Sequence, residues 1–370
     1  MINISKLLSS DKISFPGDAL RYSEKKVSSS PVIVWHLTSR CNLMCRHCYA
    51  AQPNGRETSD MSNDDARAFL AMLEKFRPPS LLLSGGEPMA HPDFFSRLSM
   101  AYDYGMRVTL STNGTLIDRD AARRMSHALV YAGVSIDGPC EVNDLFRGSS
   151  GAFRASVEAI DLLASMCVKV GLRVTLARPL LPYLPDIFNL AESLPISRVC
   201  FYHFIPSGRG ASDDSLTPTG GEASSAVGRI IEWADEISRN VSRRDPLEIL
   251  TVGDASDSVR IYKYLLERND SRLPDAAGLL TRASSGCSPG ILSVRWDGTV
   301  FPNQFAWDRP LGRWPELKWI AGHTRRHSEV SSECGTCSWR SRNICAGRLE
   351  LFNLRNAESC AMLDCGQGTV

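Results

Sequence analysis

Residues 32–50 read VIVWHLTSRCNLMCRHCYA. The run at 32–37 (VIVWHL) suits a buried strand, being short, apolar and rich in β-favouring residues. Directly after it, Cys41, Cys45 and Cys48 fall at C-x3-C-x2-C spacing. Three thiolates so placed can wrap one corner of a 4Fe–4S cluster and leave the fourth iron without a protein ligand. An open iron is a place to do chemistry, whereas a fully ligated cluster mainly carries electrons. A zinc knuckle would want a fourth ligand, and His47 is adjacent to Cys48, awkward for chelating the same ion. The spacing therefore favours iron–sulfur, although short Cys-rich runs serve several metals.

Outward from this stretch the same grammar repeats. Further strand-like runs stand at 80–84 (SLLLS), 107–112 (RVTLST), 130–136 (VYAGVSI), 169–176 (KVGLRVTL) and 198–204 (RVCFYHF). Helical periodicity fills the gaps at 62–76, 92–104, 118–127, 151–166 and 184–193. In 151–166, Phe153, Val157, Ile160, Leu163 and Ala164 share one face, the spacing of a core-facing stripe. Strands alternating with helices imply a parallel sheet with right-handed crossovers. Six units fall short of the eight of a closed TIM barrel. The expected fold class is α/β, a partial (β/α)6 TIM-type barrel over 31–210, with its working loops at the C-terminal ends of the strands. An extension (1–30) precedes it. A helical linker region (211–286) follows, with helices at 222–238 and 256–268. A Cys-rich module (287–370) closes the chain, opening with a hairpin at 290–301 whose Asp297-Gly298 pair predicts a type I′ turn.

The 370 residues are enough for one large domain and a smaller module. A net charge of +1 provides no field favouring nucleic acid or an anionic membrane. No run approaches the roughly 18–20 apolar residues of a membrane span, and the first residues lack the apolar stretch of a signal peptide. The expectation is a cytoplasmic protein with a small-molecule substrate and neither nucleic-acid nor membrane partners. In such a reducing compartment the twelve cysteines are more suited to metals than to disulfides. Five of them, Cys334, Cys337, Cys345, Cys360 and Cys365, lie near the C-terminus, which predicts a second metal site. Cys140, Cys167 and Cys200 stand in apolar contexts and read as small core residues.

Four motifs then fall in order at successive strand ends. They are the cysteine loop with Tyr49 behind it, Ser84-Gly85-Gly86-Glu87-Pro88, STNG at 111–114, and SIDG at 135–138. Taken singly, GGEP is a common turn and Asp137-Gly138-Pro139 an ordinary one. Together they resemble the radical S-adenosylmethionine (AdoMet) superfamily from Val32 to about Phe204. The resemblance implies that AdoMet chelates the open iron held by the catalytic Cys41, Cys45 and Cys48. Its amino group would meet Gly85, Gly86 and Glu87; Ser111 and Asn113 would touch the ribose or carboxylate. Ser135 or Asp137 would take the ribose hydroxyls, and the backbone around Tyr49 the adenine edge. One electron, from a reductant such as flavodoxin or ferredoxin, would release a 5′-deoxyadenosyl radical that abstracts hydrogen from substrate.

The tail resembles SPASM-type auxiliary-cluster modules, with C-x2-C-x7-C in place of the usual C-x2-C-x5-C. The resemblance implies an auxiliary 4Fe–4S cluster on Cys334, Cys337, Cys345 and Cys360, with Cys365 and Cys287 as alternates; structural zinc is the competing reading. Among relatives, LLLSGGEPMAHPDFF, RVTLSTNGTLID, VKVGLRVTL, CGTCSWR, and FPN where many SPASM proteins place a cysteine are most similar to the haem d1 and alternative haem pathway enzymes. These remove carboxylate side chains (propionate or acetate) from sirohaem-derived tetrapyrroles. A multi-carboxylate substrate wants cations at the barrel mouth, and Arg173, Arg178, His203 and Arg209 are the candidates. For the arginines a solvated rim is the competing reading, and for His203 a satisfied core position. A peptide maturase is the alternative function, against which the short 1–30 segment argues; a non-catalytic electron-transfer protein is a second, against which the intact GGEP argues.

Overall fold

The computed structural model describes residues 1–9, 13–22, 30–51, 59–239, 246–284, 290–315 and 337–345. In chain order its strands are β1 (Ile2–Asn3), β2 (Val32–His36), β3 (Leu81–Ser84), β4 (Val108–Thr112), β5 (Leu129–Ser135), β6 (Val170–Leu176), β7 (Arg198–His203), β8 (Glu248–Val252), β9 (Ile291–Val294), β10 (Thr299–Phe301) and β11 (Gly312–Arg313). Its helices are α1 (Ile4–Leu7), α2 (Asp18–Tyr22), α3 (Asn63–Phe76), α4 (Phe94–Asp103), α5 (Arg119–Ser126), α6 (Cys140–Arg147), α7 (Ala152–Ser165), α8 (Leu184–Ser193), α9 (Gly220–Arg239), α10 (Asp257–Glu267), α11 (Leu273–Ser284) and α12 (Ser338–Ser341).

The six expected units are present as β2 to β7, paired parallel in sequence order as a partial barrel. The sheet is wider than that reading. β8 adds parallel to β7, and β9 adds parallel to β2, so the sheet runs across the boundaries expected at 210 and 286. β1 pairs antiparallel with β8, so the N-terminal extension is part of the fold. Its Asn3 and Arg21 converge on buried Glu248, Arg21 at 2.8 Å and Asn3 at 3.0 Å, and Asp18 accepts from both of them. Arg198 closes the same network from β7, 2.5 Å from Glu248.

Strand alternation sorts side chains by face. Leu81, Leu83, Val108, Leu110, Ala132, Val134, Leu172, Val174, Val199 and Phe201 are buried beneath the helices. Each helix offers a matching stripe: α3 buries Ala66, Phe69, Leu70 and Leu73, with Ser62 capping it by accepting the Asp65 N–H at 3.0 Å. The opposite face of the strands lines the lumen and is more polar, with Thr109, Ser111, Tyr131, Ser135, Arg173, Thr175, Arg198 and Tyr202 only half-buried.

The hairpin β9–β10 has a different turn from the one expected. Of Asp297 and Gly298, only the glycine takes a positive φ (+85°), where type I′ needs both. Arg295 and Asp297 brace the turn instead, the Asp297 carboxylate also accepting the Thr299 N–H at 3.0 Å. Two cysteine readings are also corrected: Cys167 is exposed at a left-handed φ of +63°, and Cys140 is half-buried at the start of α6. Cys200 is buried. Among the described residues no helix is long and apolar enough to cross a membrane.

Candidate active site

The loop 38–50 crosses the C-terminal ends of β2 and β3 and is gripped from three directions. From the GGEP turn, the Gly86 N–H donates to Thr38 O at 2.8 Å and the Glu87 N–H to Arg40 O at 2.7 Å. From the end of α6, Arg147 O and Phe146 O accept the Met44 and Arg46 N–H groups at 3.1 and 3.0 Å. From the segment after β7, the Arg209 N–H reaches Cys48 O at 2.9 Å and its guanidinium reaches Cys45 O at 2.6 Å. The approach is close enough to require glycine twice: a Cβ on Gly86 would lie 2.2 Å from Arg40 O, and one on Gly208 2.4 Å from Cys48 O.

The three thiols are free of disulfides. Desolvation pushes Cys41 up to about 12, with Glu87, Cys45 and Cys48 adding to the shift; Cys45 is also raised, chiefly by desolvation. Thiols in this state become thiolates when a metal supplies the compensating charge. Among the described residues, three ligand atoms gather within 4.8 Å of one another only at His203, Asp254 and Asp257, so the three cysteine sulfurs do not all fall that close together. One tetrahedral zinc, with Zn–S near 2.3 Å, would hold its thiolates about 3.8 Å apart. The donor set thus fits a multi-iron cluster better than a single ion. Two polar side chains face its sulfurs: Asn113 Nδ2 lies 4.0 Å from Cys41 Sγ and Arg147 Nη1 4.0 Å from Cys45 Sγ.

The motif residues divide into two groups. Glu87 and Asp137 are buried hubs. Glu87 accepts from Thr112 Oγ1 and the Asn113 N–H, both at 2.8 Å, and so ties the GGEP turn to STNG. Burial raises its carboxyl, those hydrogen bonds offsetting the rise only in part. Asp137 accepts the Thr175 N–H at 2.8 Å and pairs with Arg147, with His47 Nε2 at 3.7 Å. Burial alone would raise Asp137, but the Arg147 and His47 charges outweigh it and hold the carboxyl below its usual range. In contrast, the Ser111 and Ser135 hydroxyls, half-buried on the lumen face, make no hydrogen bond among the described residues and are open to a ligand. Gly85, at φ +139°, brings its backbone against Thr38. Tyr49 Oη approaches Ser84 Oγ at 3.4 Å.

The four cationic candidates part company. Arg209 braces the cysteine loop as above. Arg178 pairs with Glu222 at 3.0 Å on the rim. His203 is buried against Asp257 at 2.8 Å, beside Asp254 and Arg260. Arg173 faces the lumen, its guanidinium over the Tyr202 ring at 4.4 Å. Arg147 is a site residue the sequence reading missed: in α6 it looks like a surface charge, and only the fold turns it onto Asp137 and Cys45.

Also missed was an aromatic wall beside the cysteine loop. Tyr49 and Phe305 rings are 5.1 Å apart, Trp307 lies 5.2 Å from His36 and 5.7 Å from Phe301, and Trp296 lies 5.4 Å from Trp307. The FPN segment shapes it: buried Asn303 accepts the Phe305 and Ala306 N–H groups at 2.8 and 3.1 Å. Of the cysteines expected to form an auxiliary site, Cys337 and Cys345 are buried around Trp339, with Cys345 Sγ 3.6 Å from Ala255 O. Cys287, Cys334, Cys360 and Cys365 lie outside the described residues.

The family model for the Radical SAM superfamily matches residues 35–187. An Fe-coproporphyrin III synthase of Methanosarcina barkeri is 35% identical, over 95% of this chain and 93% of its own. A pre-heme d1 synthase of Dinoroseobacter shibae is 27% identical over 88% and 83%. A mycofactocin maturase of Mycobacterium ulcerans is 32% identical over only 50% of this chain and 51% of its own. The solved structure of native anSMEcpe with bound AdoMet shares the fold, with a TM-score of 0.65 at 20% identity over 89% of this chain and 90% of that one.

Proposed function

Since the chain belongs to the radical SAM superfamily, an enzyme family that works with a 4Fe–4S cluster and AdoMet, we propose that it removes carboxylate side chains, propionate or acetate, from a sirohaem-derived tetrapyrrole. The observation that carries this reading is kinship along the whole chain. Similarity to a synthase named for a coproporphyrin extends through the C-terminal region, whereas the maturase match spans half the chain. The aromatic wall of Tyr49, Phe305 and Trp307 supports it, because flat apolar rings suit one face of a macrocycle.

The chemistry supplied by bound cluster and AdoMet is hydrogen abstraction by a 5′-deoxyadenosyl radical. The chain's own part is to position and to seal. Cys41, Cys45 and Cys48 would hold the cluster, and Gly85 and Gly86, packed without a Cβ against Thr38 and Arg40 of the cysteine loop, would fix the backbone that meets the AdoMet amino group. Ser111 and Ser135 would offer hydroxyls to its ribose or carboxylate. Arg147, fixed by Asp137, keeps a cation next to the thiolates and would take a carboxylate there. Cys337 and Cys345, with Cys334 and Cys360, would hold an auxiliary cluster. A low-potential reductant such as flavodoxin or ferredoxin, in a reducing cytoplasm, completes the scheme.

The test is anaerobic incubation of the reconstituted enzyme with AdoMet, a strong reductant and iron-bearing didecarboxysirohaem, with mass spectrometry of both products. Loss of side-chain mass in step with 5′-deoxyadenosine is expected, and the size of the loss tells propionate from acetate. If 5′-deoxyadenosine appears while the tetrapyrrole stays intact, the substrate reading fails and a peptide substrate takes its place.

A further inference from the structure

The lumen holds two arginines of opposite standing. Arg198 stacks over Tyr131 at 4.7 Å and is neutralised by Glu248, the bottom seal that Arg21 and Asn3 complete. Arg173, on the neighbouring strand and nearer the mouth, stacks over Tyr202 in the same manner but meets no carboxylate among the described residues. Among the described residues its guanidinium makes no ion pair and no hydrogen bond. The acidic groups around it are Tyr202, Cys200, Tyr49 and Tyr131, phenols and a thiol that are neutral at neutral pH. A partly desolvated cation without a counter-charge is costly. The sheet is nevertheless shaped to keep it: a Cβ on Gly133 would strike Arg173 Cδ at 2.7 Å, and one on the facing Gly171 would strike Tyr131 Oη at 2.3 Å. Tyr131 Oη is itself buried without a hydrogen-bond partner among the described residues. Two adjacent strands therefore give up side chains at facing positions so that an arginine and a phenol can lie flat on the sheet with unused donors.

We propose that Arg173, seated over Tyr202 and flanked by Tyr131, is the lumen site that anchors one side-chain carboxylate of the substrate. This deepens the tetrapyrrole reading and rests on it for the identity of the molecule carrying the carboxylate. The guanidinium fork accepts a carboxylate through two parallel N–H···O bonds. The depth of Arg173, level with Ser135 on the neighbouring strand, sets which arm of the substrate is drawn inward and therefore which arm is left beside the cluster.

Two measurements on the anaerobically reconstituted holoenzyme test this. In the first, coproporphyrin III and its tetramethyl ester are titrated by fluorescence against wild type and Arg173→Met. The variant should lose about tenfold to a hundredfold in affinity for the acid, with the ester bound alike by both proteins. Equal losses for acid and ester, or a parallel loss of AdoMet binding, would overturn the assignment. In the second, phenylglyoxal modification of Arg173 is followed by mass spectrometry, with Arg198 as an internal reference. Propionate alone should protect Arg173. An Arg173 that is modified equally with and without propionate, or not modified at all, also overturns it. Protection by propionate but not by coproporphyrin III keeps the carboxylate site and removes the tetrapyrrole reading, so the two claims fail separately.

Discussion

Replacing Gly86 by alanine tests whether the GGEP turn positions the cluster loop. The added methyl would stand 2.2 Å from Arg40 O, 2.7 Å from Arg40 C and 2.7 Å from Ser39 O, all of them backbone atoms that no rotamer change can move. Carbon–oxygen contacts ordinarily stop near about 3.3 Å, so the turn and the loop must separate by about 1.1 Å (3.3 − 2.2). Between them run the hydrogen bonds from Gly86 to Thr38 and from Glu87 to Arg40. Loss of both costs about 1–3 kcal/mol, and a shift of about 1 Å in a positioned reactant can cost about a hundredfold in rate. Gly86→Ala should therefore cut 5′-deoxyadenosine formation about a hundredfold. It should also lose the change that AdoMet induces in the paramagnetic spectrum of the reduced cluster. Iron and sulfide per chain are measured first, so that cluster loss and AdoMet misplacement are told apart. Wild-type iron content together with a wild-type AdoMet response and rate would refute the reasoning.

Cys45→Ala should abolish AdoMet cleavage, whereas Cys337→Ala should spare uncoupled cleavage and impair product formation; 5′-deoxyadenosine at the wild-type level from the Cys45 variant would remove the catalytic assignment. The buried His203–Asp257 pair carries a pH signature. Burial alone would lower His203, but Asp257 outweighs it and the histidine rests above its usual 6.5, so its stabilisation is present below 6.5 and fades as pH rises through the folded-state value. Asp257 is depressed below 3.8, the charges of His203 and Arg260 outweighing its burial, so its share is present above 3.8 and fades as pH falls through the depressed value. Urea unfolding at pH 6 and pH 9 should show a larger drop for wild type than for His203→Gln, and equal drops would contradict the pairing.

What could be read from the sequence was what is encoded locally. The cysteine spacing and the strand-end motifs each lie within a few residues, each strand and helix of the six β/α units carries its own periodicity, and the strands stand where that periodicity puts them. The missed elements depend on distant partners. Strand β8 opens on Glu248, a charge that speaks against a buried strand until Arg21 and Arg198 arrive from elsewhere. Arg147 reads as the polar face of a helix until α6 docks on the cysteine loop. Asp137 and Glu87 sit in the right motifs, yet their carboxylates are consumed within the protein, which a motif alone does not reveal. The turn at Asp297-Gly298 shows the same limit: its dipeptide suits type I′, but the Arg295–Asp297 brace holds another geometry.

The seal at the foot of the lumen also orders the birth of the protein. Asn3, Asp18 and Arg21 leave the ribosome well before Glu248, the group they surround, which follows 226 residues after Tyr22 (248 − 22). At roughly 5–20 residues per second that is a wait of about 11–45 s. Throughout it β1 has no β8 to pair with, and the apolar side of α1, with Ile4 and Leu7, stays uncovered. The segment carrying β1 therefore docks only after the much later β8 is made, and the lumen stays open from below until it does.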